Sequence, residues 1–221
     1  MKKTEGNPID AYWKLRLEAV KERLESNNFE AHVAENSDEA TAIVVGIIDA
    51  SSGRSISWGG SKSFVDTGLY GILKDREDLE VLDTYDKGSF SPEEVMERRR
   101  QSLLSDIYIT GTNALIEDGY LVNLDMIGNR IAAITFGPKE VVILVGRNKV
   151  AADLESAMER VKAYAAPVNA MRLGMKTPCA QTGVCQDCKS PQRICNTWTI
   201  TEKSFPKGRV KVVLINEDLG F

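Results

Sequence analysis

The sequence is poor in the side chains on which much enzyme chemistry depends. It contains a single histidine, His32, and only 7% of its residues are aromatic. His32 lies opposite Phe29, Ala31 and Val33 in a stretch that reads as a strand, so we expect its side chain to face solvent. A catalytic triad that depends on histidine is therefore disfavoured.

The sequence also lacks an excess of positive charge and a long apolar run. Its 28 basic and 32 acidic residues give a formal net charge of -4, which provides no strong positive field for nucleic acid or anionic lipid. The best apolar candidate, residues 43–50, is far shorter than the roughly 18 residues of a membrane span. Residues 1–6 are polar, and no apolar signal region follows them. We therefore expect a cytoplasmic protein with no nucleic-acid partner and no membrane insertion.

Hydrophobic residues make up 43% of the chain, which is enough to bury a core. The β-branched-rich runs at residues 141–145 and 209–215 are typical of strands buried on both faces, as in parallel sheets. Helical patterns alternate with strand-like ones, without an internal repeat or a break in composition. The sequence therefore predicts one α/β domain over residues 1–221, in which helices flank a sheet.

Local signals place the first two helices. Asn7 can cap and Pro8 can open an N-terminal helix over about residues 8–27, in which apolar residues recur every three or four positions. Ser37 and the acids that follow it predict a second helix through residue 48.

Later segments carry equally specific signals. Ser91 and Glu94 have the spacing of a capping box, which predicts a helix to about residue 104. The pair Asp118-Gly119 between two apolar segments predicts a hairpin turn. A further helix is predicted over residues 150–165, where apolar side chains return at helical spacing.

All four cysteines of the chain lie in one loop, residues 178–196, which has neither hydrophobic period. The array C-x5-C-x2-C-x6-C consists of Cys179, Cys185, Cys188 and Cys195. Four thiolates can hold a [4Fe-4S] iron-sulfur cluster or a zinc ion. The wide outer spacings favour the cluster over zinc, while reduced thiols or an opportunistic disulfide in a metal-free protein are the structural alternative.

Two groups of loop residues are candidates for binding a small anion. The first group, directly after a predicted strand, is Gly59, Gly60, Ser61 and Lys62. Glycines let backbone N–H groups approach an anion, and Ser61 and Lys62 add donors, although a tight structural turn explains the same residues. The segment matches neither a Walker loop nor a dinucleotide fingerprint.

The second group follows apolar segments later in the chain. Its members are Thr110, Gly111, Thr112, Asn113, Gly128, Asn129 and Arg130. Ligands of open α/β sheets lie beyond the carboxyl ends of the strands, so these loops could share one crevice in which Arg130 clamps a carboxylate or phosphate. Alternatively, the asparagines satisfy loop backbone and Arg130 pairs with a neighbouring acid. Glu117, in the predicted hairpin turn, is a weak candidate for a catalytic carboxylate.

Several of these segments, in this order, resemble the LUD domain (lactate utilisation, DUF162) family. The segments that carry the resemblance are residues 110–114, 117–119, 128–130, 137–138 and 146–149, followed by the cysteine loop. The resemblance implies a fold similar to the NagB/RpiA/CoA-transferase group and an association with oxidation of L-lactate to pyruvate in multi-component iron-sulfur assemblies. Larger relatives carry a ferredoxin-type module that this chain lacks, and the family provides no catalytic residues to carry over.

The leading hypothesis is an accessory or small-molecule-binding subunit of lactate or related 2-hydroxy acid oxidation. Its partners would be other subunits of such an assembly and a small anionic ligand, with an iron-sulfur cluster or zinc in the cysteine loop. One alternative is a stand-alone enzyme that acts on a phosphorylated sugar or an acyl-CoA. The other is a regulatory or scaffold protein stabilised by zinc.

Overall fold

A computed structural model describes residues 7–86 and 88–221 of the chain, so the polar segment 1–6 lies outside the described residues. The strands are β1 Glu30–Ala34, β2 Ser55–Trp58, β3 Glu80–Leu82, β4 Ile107–Gly111, β5 Ala114–Ile116, β6 Leu121–Asp125, β7 Glu140–Gly146, β8 Val150–Ala151, β9 Thr197–Thr201 and β10 Val210–Ile215. The helices are α1 Pro8–Ser26, α2 Ser37–Ala50, α3 Lys62–Asp66, α4 Leu69–Leu73, α5 Pro92–Gln101, α6 Asn129–Thr135, α7 Leu154–Arg160, α8 Ala166–Arg172 and α9 Pro178–Thr182.

The larger sheet contains six parallel strands in the order β1-β10-β7-β4-β2-β3. Its central strands β7 and β10 are the two β-branched-rich runs of the sequence, and almost every residue in them is buried. A strand with helices on both sides has no solvent-facing side chains, which explains why these runs are apolar at consecutive positions. The predicted parallel α/β sheet is confirmed.

Helices cover both faces of this sheet. On one face, Leu17, Val20 and Leu24 of α1 pack with α6 against buried side chains of β4, β7 and β10. On the other face, α2, α3 and α4 enclose a second cluster around Trp58 and Phe64. Each fully buried leucine of such clusters contributes roughly 1.5–3 kcal/mol to folding.

The helix starts follow the predicted capping chemistry with one difference. Asn7 accepts a hydrogen bond from the Ile9 N–H and precedes α1, which lies within the predicted segment 8–27. The capping box before α5 is complete, since Ser91 and Glu94 each bond the other's backbone. For α2, however, the cap is Asn36 and not Ser37, because the Asn36 side chain accepts from the Glu39 N–H.

A second, smaller sheet of four strands was missed by the sequence analysis. Its order is β8-β5-β6-β9, with β5 parallel to β8 and the remaining pairs antiparallel. The predicted hairpin forms its centre, and Gly119 takes the positive φ of +80° that the turn requires. The edge strand β9 is Thr-Trp-Thr-Ile-Thr, which alternates polar and apolar residues, so the sequence contained a strand signal here that was not recognised beside the cysteine loop.

Two further predictions need correction. The predicted helix over residues 150–165 begins only at Leu154, because residues 150–151 form the strand β8 that pairs with the hairpin. The cysteine segment is not wholly irregular, since its first residues form the short helix α9. No helix in the described ranges combines the length and apolarity that crossing a bilayer requires.

Candidate ligand site at the carboxyl edge of the sheet

The loops after β2, β4 and β7 meet at one edge of the large sheet. These strands are neighbours and parallel, so their carboxyl ends lie side by side, as expected for a ligand site in an open α/β sheet. The contact is close, since a Cβ added to Gly111 would lie 2.6 Å from the Ser61 Oγ. The structure therefore brings the two predicted groups of loop residues together.

Two buried hydroxyl groups converge on Gly59. A Cβ added to this glycine would lie 2.4 Å from the Tyr108 hydroxyl and 3.2 Å from the Thr110 Oγ1. Both side chains are fully buried, and neither hydroxyl has a hydrogen-bond partner among the described residues. Burial raises the pKa of Tyr108, so its hydroxyl stays a neutral donor. A buried unpaired hydroxyl costs about 1–3 kcal/mol, so such groups indicate a bound ligand or water.

Other members of the first predicted group serve the turn itself. The Ser61 Oγ caps α3 by accepting from the Phe64 N–H at 3.2 Å, and the Ser61 N–H donates to the Tyr85 hydroxyl at 3.0 Å. Lys62 is exposed and pairs with Asp66 on the next turn of the same helix. Gly60 is exposed as well. These three residues fit the tight structural turn better than an anion site.

Arg130 uses all of its hydrogen-bond donors within the protein. A guanidinium has five N–H donors, and each of them meets an acceptor here. The acceptors are the Asp125 carboxylate at 3.1 Å, the Gly111 carbonyl at 3.2 Å, the Asn113 Oδ1 at 2.7 Å, the Leu124 carbonyl at 3.2 Å and the Asn123 Oδ1. This arrangement corresponds to the structural alternative of the sequence analysis, in which Arg130 pairs with a neighbouring acid.

The remaining predicted loop residues join the two sheets. The Thr112 hydroxyl donates to the Ala114 carbonyl at 2.9 Å, and the Asn113 Oδ1 accepts from the Leu124 N–H at 2.9 Å. Gly128 has a φ of +90° directly before α6, where its N–H donates to Asp125. Asn129 lies beside the Tyr108 hydroxyl, although no hydrogen bond of normal geometry joins them.

The most unusual charged group at this edge is Lys149, which the analysis of single residues missed. It is 4% exposed and ends the short 3-10 turn, residues 147–149, that follows β7. The amine donates to the Ser63 Oγ at 2.8 Å and to the Thr112 carbonyl at 3.2 Å. Burial, together with the charges of Arg160 and Arg130, lowers the pKa of Lys149 to about 7.

Arg160 of α7 is a second cation at the same edge. Its Nε donates to the Asn148 carbonyl at 2.9 Å, and its terminal nitrogen donates to the Asn113 carbonyl at 2.8 Å. Burial lowers the pKa of this guanidinium as well. Within the described ranges, no ion pair involves Lys149 or Arg160.

The segment after β10 covers Lys149. A Cβ added to Gly220 would lie 2.9 Å from the Ser63 Oγ and 3.3 Å from the Lys149 Nζ. Gly220 has a φ of +63°, which favours glycine, and the Leu219 carbonyl accepts from the Ser63 hydroxyl at 3.2 Å. Residues 219–220 therefore form a cap over the amine, which we call the tail cap.

Two open grooves lie away from this edge. One, of about 780 Å³, runs between α7 and Trp198, and the other, of about 680 Å³, lies at the amino edge of the large sheet beside His32. The His32 side chain is 35% exposed, and its Nε2 lies 3.0 Å from Glu30. Glu117, the weak catalytic candidate, pairs with Arg16 of α1. Neither residue faces the carboxyl edge.

The four cysteines occupy different parts of their loop. Cys179 lies on α9, Cys185 and Cys188 lie in irregular backbone, and Cys195 precedes β9. All four are reduced and partly buried. In the part of the chain that the structure describes, no three His, Cys, Asp or Glu side chains lie close enough to share an ion. The arrangement described here is therefore not a ready-made shell for zinc or a cluster.

The protein itself holds this loop in place, chiefly through Arg193. Its guanidinium donates to the Cys188 carbonyl at 2.7 Å, the Cys195 carbonyl at 2.9 Å and Asp187 at 3.0 Å. Lys162 of the helical segment after α7 also pairs with Asp187, at 2.8 Å. No local sequence pattern predicts these contacts, because the path of the loop decides which backbone carbonyls the guanidinium can reach.

Comparisons with known proteins agree with this architecture. A model of the LUD domain matches residues 17–215. Among solved structures, the chain is similar to a DUF162 family protein from Deinococcus radiodurans, with a TM-score of 0.52 and 15% identity. That match covers 92% of this chain and 98% of the other. No curated protein matches the sequence. Since the family model spans most of the chain, from α1 to the end of β10, the protein belongs to the LUD domain family.

Proposed function

We propose that this protein binds a small carboxylate, a 2-hydroxy or 2-oxo acid, at the carboxyl edge of its six-stranded sheet. In the cell it would act as a binding or accessory subunit of lactate or related 2-hydroxy acid oxidation. Membership of the LUD domain family supports this role, and the similarity of the sequence to that family also supports a NagB/RpiA/CoA-transferase-like sheet.

The observation that carries the proposal is a pair of basic side chains, Lys149 and Arg160, that have no acidic partner among the described residues. Lys149 is buried and Arg160 is half-buried, and the hydrogen bonds of both side chains go to uncharged acceptors. A charge that is buried without a counter-ion is costly, and an anionic ligand would remove that cost. The family resemblance favours a carboxylate over a phosphate as that anion.

The unpaired hydroxyls of Tyr108 and Thr110 support a ligand that also contains a neutral oxygen. A hydroxyl or keto oxygen adjacent to a carboxylate can exchange hydrogen bonds with both groups. Both hydroxyls lie against the backbone of Gly59, where a side chain would collide with the Tyr108 hydroxyl. A simple inorganic anion would satisfy the cations but would not need these hydroxyls.

The proposal can be tested by calorimetric titration with L-lactate, pyruvate, inorganic phosphate and ribose 5-phosphate. We expect the two carboxylates to bind more tightly than either phosphate compound. Arg160→Gln is expected to weaken carboxylate binding at least tenfold, about 1.4 kcal/mol. Its matched control is Arg147→Gln at the same edge, because Arg147 is already paired with Asp10 and Asp218.

The hydroxyls have an equally close control. Thr199 in β9 also has a buried Oγ1 without a partner among the described residues, but it lies in the smaller sheet. Thr110→Val and Thr199→Val should both leave the fold intact, and only Thr110→Val should weaken binding. If neither carboxylate binds, or if both valine variants bind like wild type, the proposed ligand position is wrong. Preferential binding of ribose 5-phosphate would favour an enzyme of phosphorylated sugars.

We further infer that the cysteine loop binds a metal ion or an iron-sulfur cluster after rearranging. The support is that every cysteine of the chain lies in this one loop, reduced and partly accessible. Ligation would have to move the thiols together. The free energy of metal binding can drive this rearrangement, because metal binding and local folding are coupled. Such a site would bear on the accessory or regulatory role, and we assign it no step in ligand binding.

Anaerobic purification followed by assay of iron, sulfide and zinc tests this second proposal. Iron with matching sulfide would identify a cluster, and stoichiometric zinc without iron would identify the alternative. Replacing Cys185 and Cys188 by serine should abolish the metal content while the far-ultraviolet circular dichroism stays unchanged. A wild-type protein that contains neither metal and titrates as four free thiols would contradict metal binding.

A further inference from the structure

The amine of Lys149 is held in a form that suits a nucleophile. Its two hydrogen-bond partners, the Ser63 Oγ and the Thr112 carbonyl, can both accept from an uncharged amine. Neither carries a negative charge that would favour the ammonium form. A lysine that reacts with carbonyl compounds must be uncharged, and desolvation is a common way to achieve this.

The charged groups around Lys149 act in the same direction. Arg160 of α7 and Arg130 of α6 are both close enough to disfavour a third positive charge. Asp66 of α3 acts in the opposite direction, but it is already paired with Lys62. The balance lowers the pKa of Lys149 to about 7, so the neutral amine is accessible near neutral pH.

We propose that Lys149 forms an imine with the carbonyl carbon of a small 2-oxo acid bound at the carboxyl edge. This inference rests on the proposed function. It narrows the ligand to the 2-oxo acid, which is the oxidised form of the corresponding 2-hydroxy acid. The Nζ lone pair attacks the carbonyl carbon, and the carbonyl oxygen takes up a proton to give a carbinolamine. The carbinolamine hydroxyl then leaves as water together with the second amine proton, and the C=N bond forms. No oxidant or reductant is needed.

The positive charge of Arg160 positions the carboxylate of the ligand for this step. A guanidinium remains protonated when its pKa is lowered, so Arg160 can hold the carboxylate while Lys149 stays neutral. A 2-hydroxy acid has the same carboxylate but no electrophilic carbon. It should therefore bind without reacting, which separates binding from imine formation.

Access to the amine requires the tail cap to move, because residues 219–220 lie directly on it. Gly220→Ala would place a methyl group 2.9 Å from the Ser63 Oγ and would strain a φ of +63°. We expect this variant to loosen the tail cap and to raise the rate of imine formation.

The test is reductive trapping of the full-length protein with pyruvate and sodium cyanoborohydride, followed by intact mass measurement and peptide mapping. We expect one adduct, located on Lys149, whose rate of formation rises between about pH 6 and 8. L-lactate should give no adduct. Lys149→Arg should abolish trapping, and Lys211→Arg should not, because Lys211 is half-buried and ion-paired with Glu30 and Glu140.

Each other outcome has a definite meaning. Pyruvate binding by calorimetry without an adduct would overturn the imine and leave the proposed function standing. An adduct spread over exposed lysines at the same rate would also overturn it. Absence of both binding and adduct would reject the proposed function itself. Peptide mapping of the wild-type protein locates the reactive lysine even if a substituted variant fails to fold.

Discussion

The carboxyl edge contains two buried basic side chains whose hydrogen-bond acceptors differ in charge. Arg130 has an acceptor for every N–H group, including the carboxylate of Asp125. Lys149 has only neutral acceptors and two arginines nearby. The first arrangement stabilises the fold, whereas the second costs free energy and so points to a ligand.

At this scale we predict a pH-dependent effect of Lys149→Met. The folded pKa of Lys149 is about 7 and its usual value is 10.5, so the unfolded chain binds more protons between these values. The free energy of unfolding of the wild-type protein therefore rises with pH between about 7 and 10.5. Below about pH 7 the folded protein bears the full free-energy cost of the buried charge. The variant should be more stable than wild type by up to about 5 kcal/mol near pH 6, and the difference should shrink toward pH 10.

Urea unfolding of both proteins at several pH values, in chloride buffer without small carboxylates, measures this difference. Methionine fills a similar volume but removes the two hydrogen bonds of the amine, so the pH dependence of the difference, and not its absolute size, reports on the charge. A difference that stays constant with pH would show that Lys149 is not desolvated in the folded protein.

Among the elements, the cysteine loop is ordered without a core of its own. Residues 183–196 contain no helix or strand, and Arg193 gathers two backbone carbonyls and Asp187 around its guanidinium. Each such hydrogen bond contributes about 1 kcal/mol. Since Cys188 and Cys195 provide these carbonyls, Arg193 also sets the spacing between two candidate metal ligands.

We therefore expect Arg193→Ala to release the loop while the sheets stay folded. A local loss of about 2 kcal/mol corresponds to roughly 30-fold faster amide exchange. Hydrogen exchange measured by mass spectrometry should show this acceleration in residues 183–196 and leave β7 and β10 unchanged. Arg100→Ala is the control, because Arg100 is exposed on α5 and only pairs with Glu97. Unchanged exchange in the loop would mean that other contacts hold it.

Across the whole molecule, Arg130 connects the two sheets. It bonds the Gly111 carbonyl at the end of β4 and the Asp125 carboxylate at the end of β6. These strands belong to different sheets, so a single side chain couples their relative position. The positions of the candidate ligand-binding residues between these two strands depend on how the two sheets are placed relative to each other.

Arg130→Met is expected to destabilise the protein by about 3–5 kcal/mol, because it leaves the buried carboxylate of Asp125 without a cationic partner. Adding Asp125→Asn should restore part of that loss, since it removes the orphaned charge. Chemical unfolding of the two single variants and the double variant measures the coupling. Additive effects would show that the two residues act independently.

Much of the fold follows from local patterns in the sequence. The runs that became β7 and β10 are apolar at consecutive positions, which identifies strands covered on both faces whatever their neighbours are. The capping box at Ser91 and the Asp118-Gly119 turn are satisfied within a few residues, so no distant partner is needed to predict them. The order of motifs from Thr110 to Lys149 was sufficient to indicate the family.

Only the tertiary structure decided which polar residues matter. Arg130 and Lys149 are both basic residues next to glycine-containing loops, and nothing local separates them. The difference is that five acceptors from three segments, one of which provides a carboxylate, surround the guanidinium of Arg130, while the neighbours that enclose the amine of Lys149 accept only through uncharged oxygens. Burial and counter-ions are set by three-dimensional packing, so the charge state of a side chain cannot be read from its neighbours in sequence.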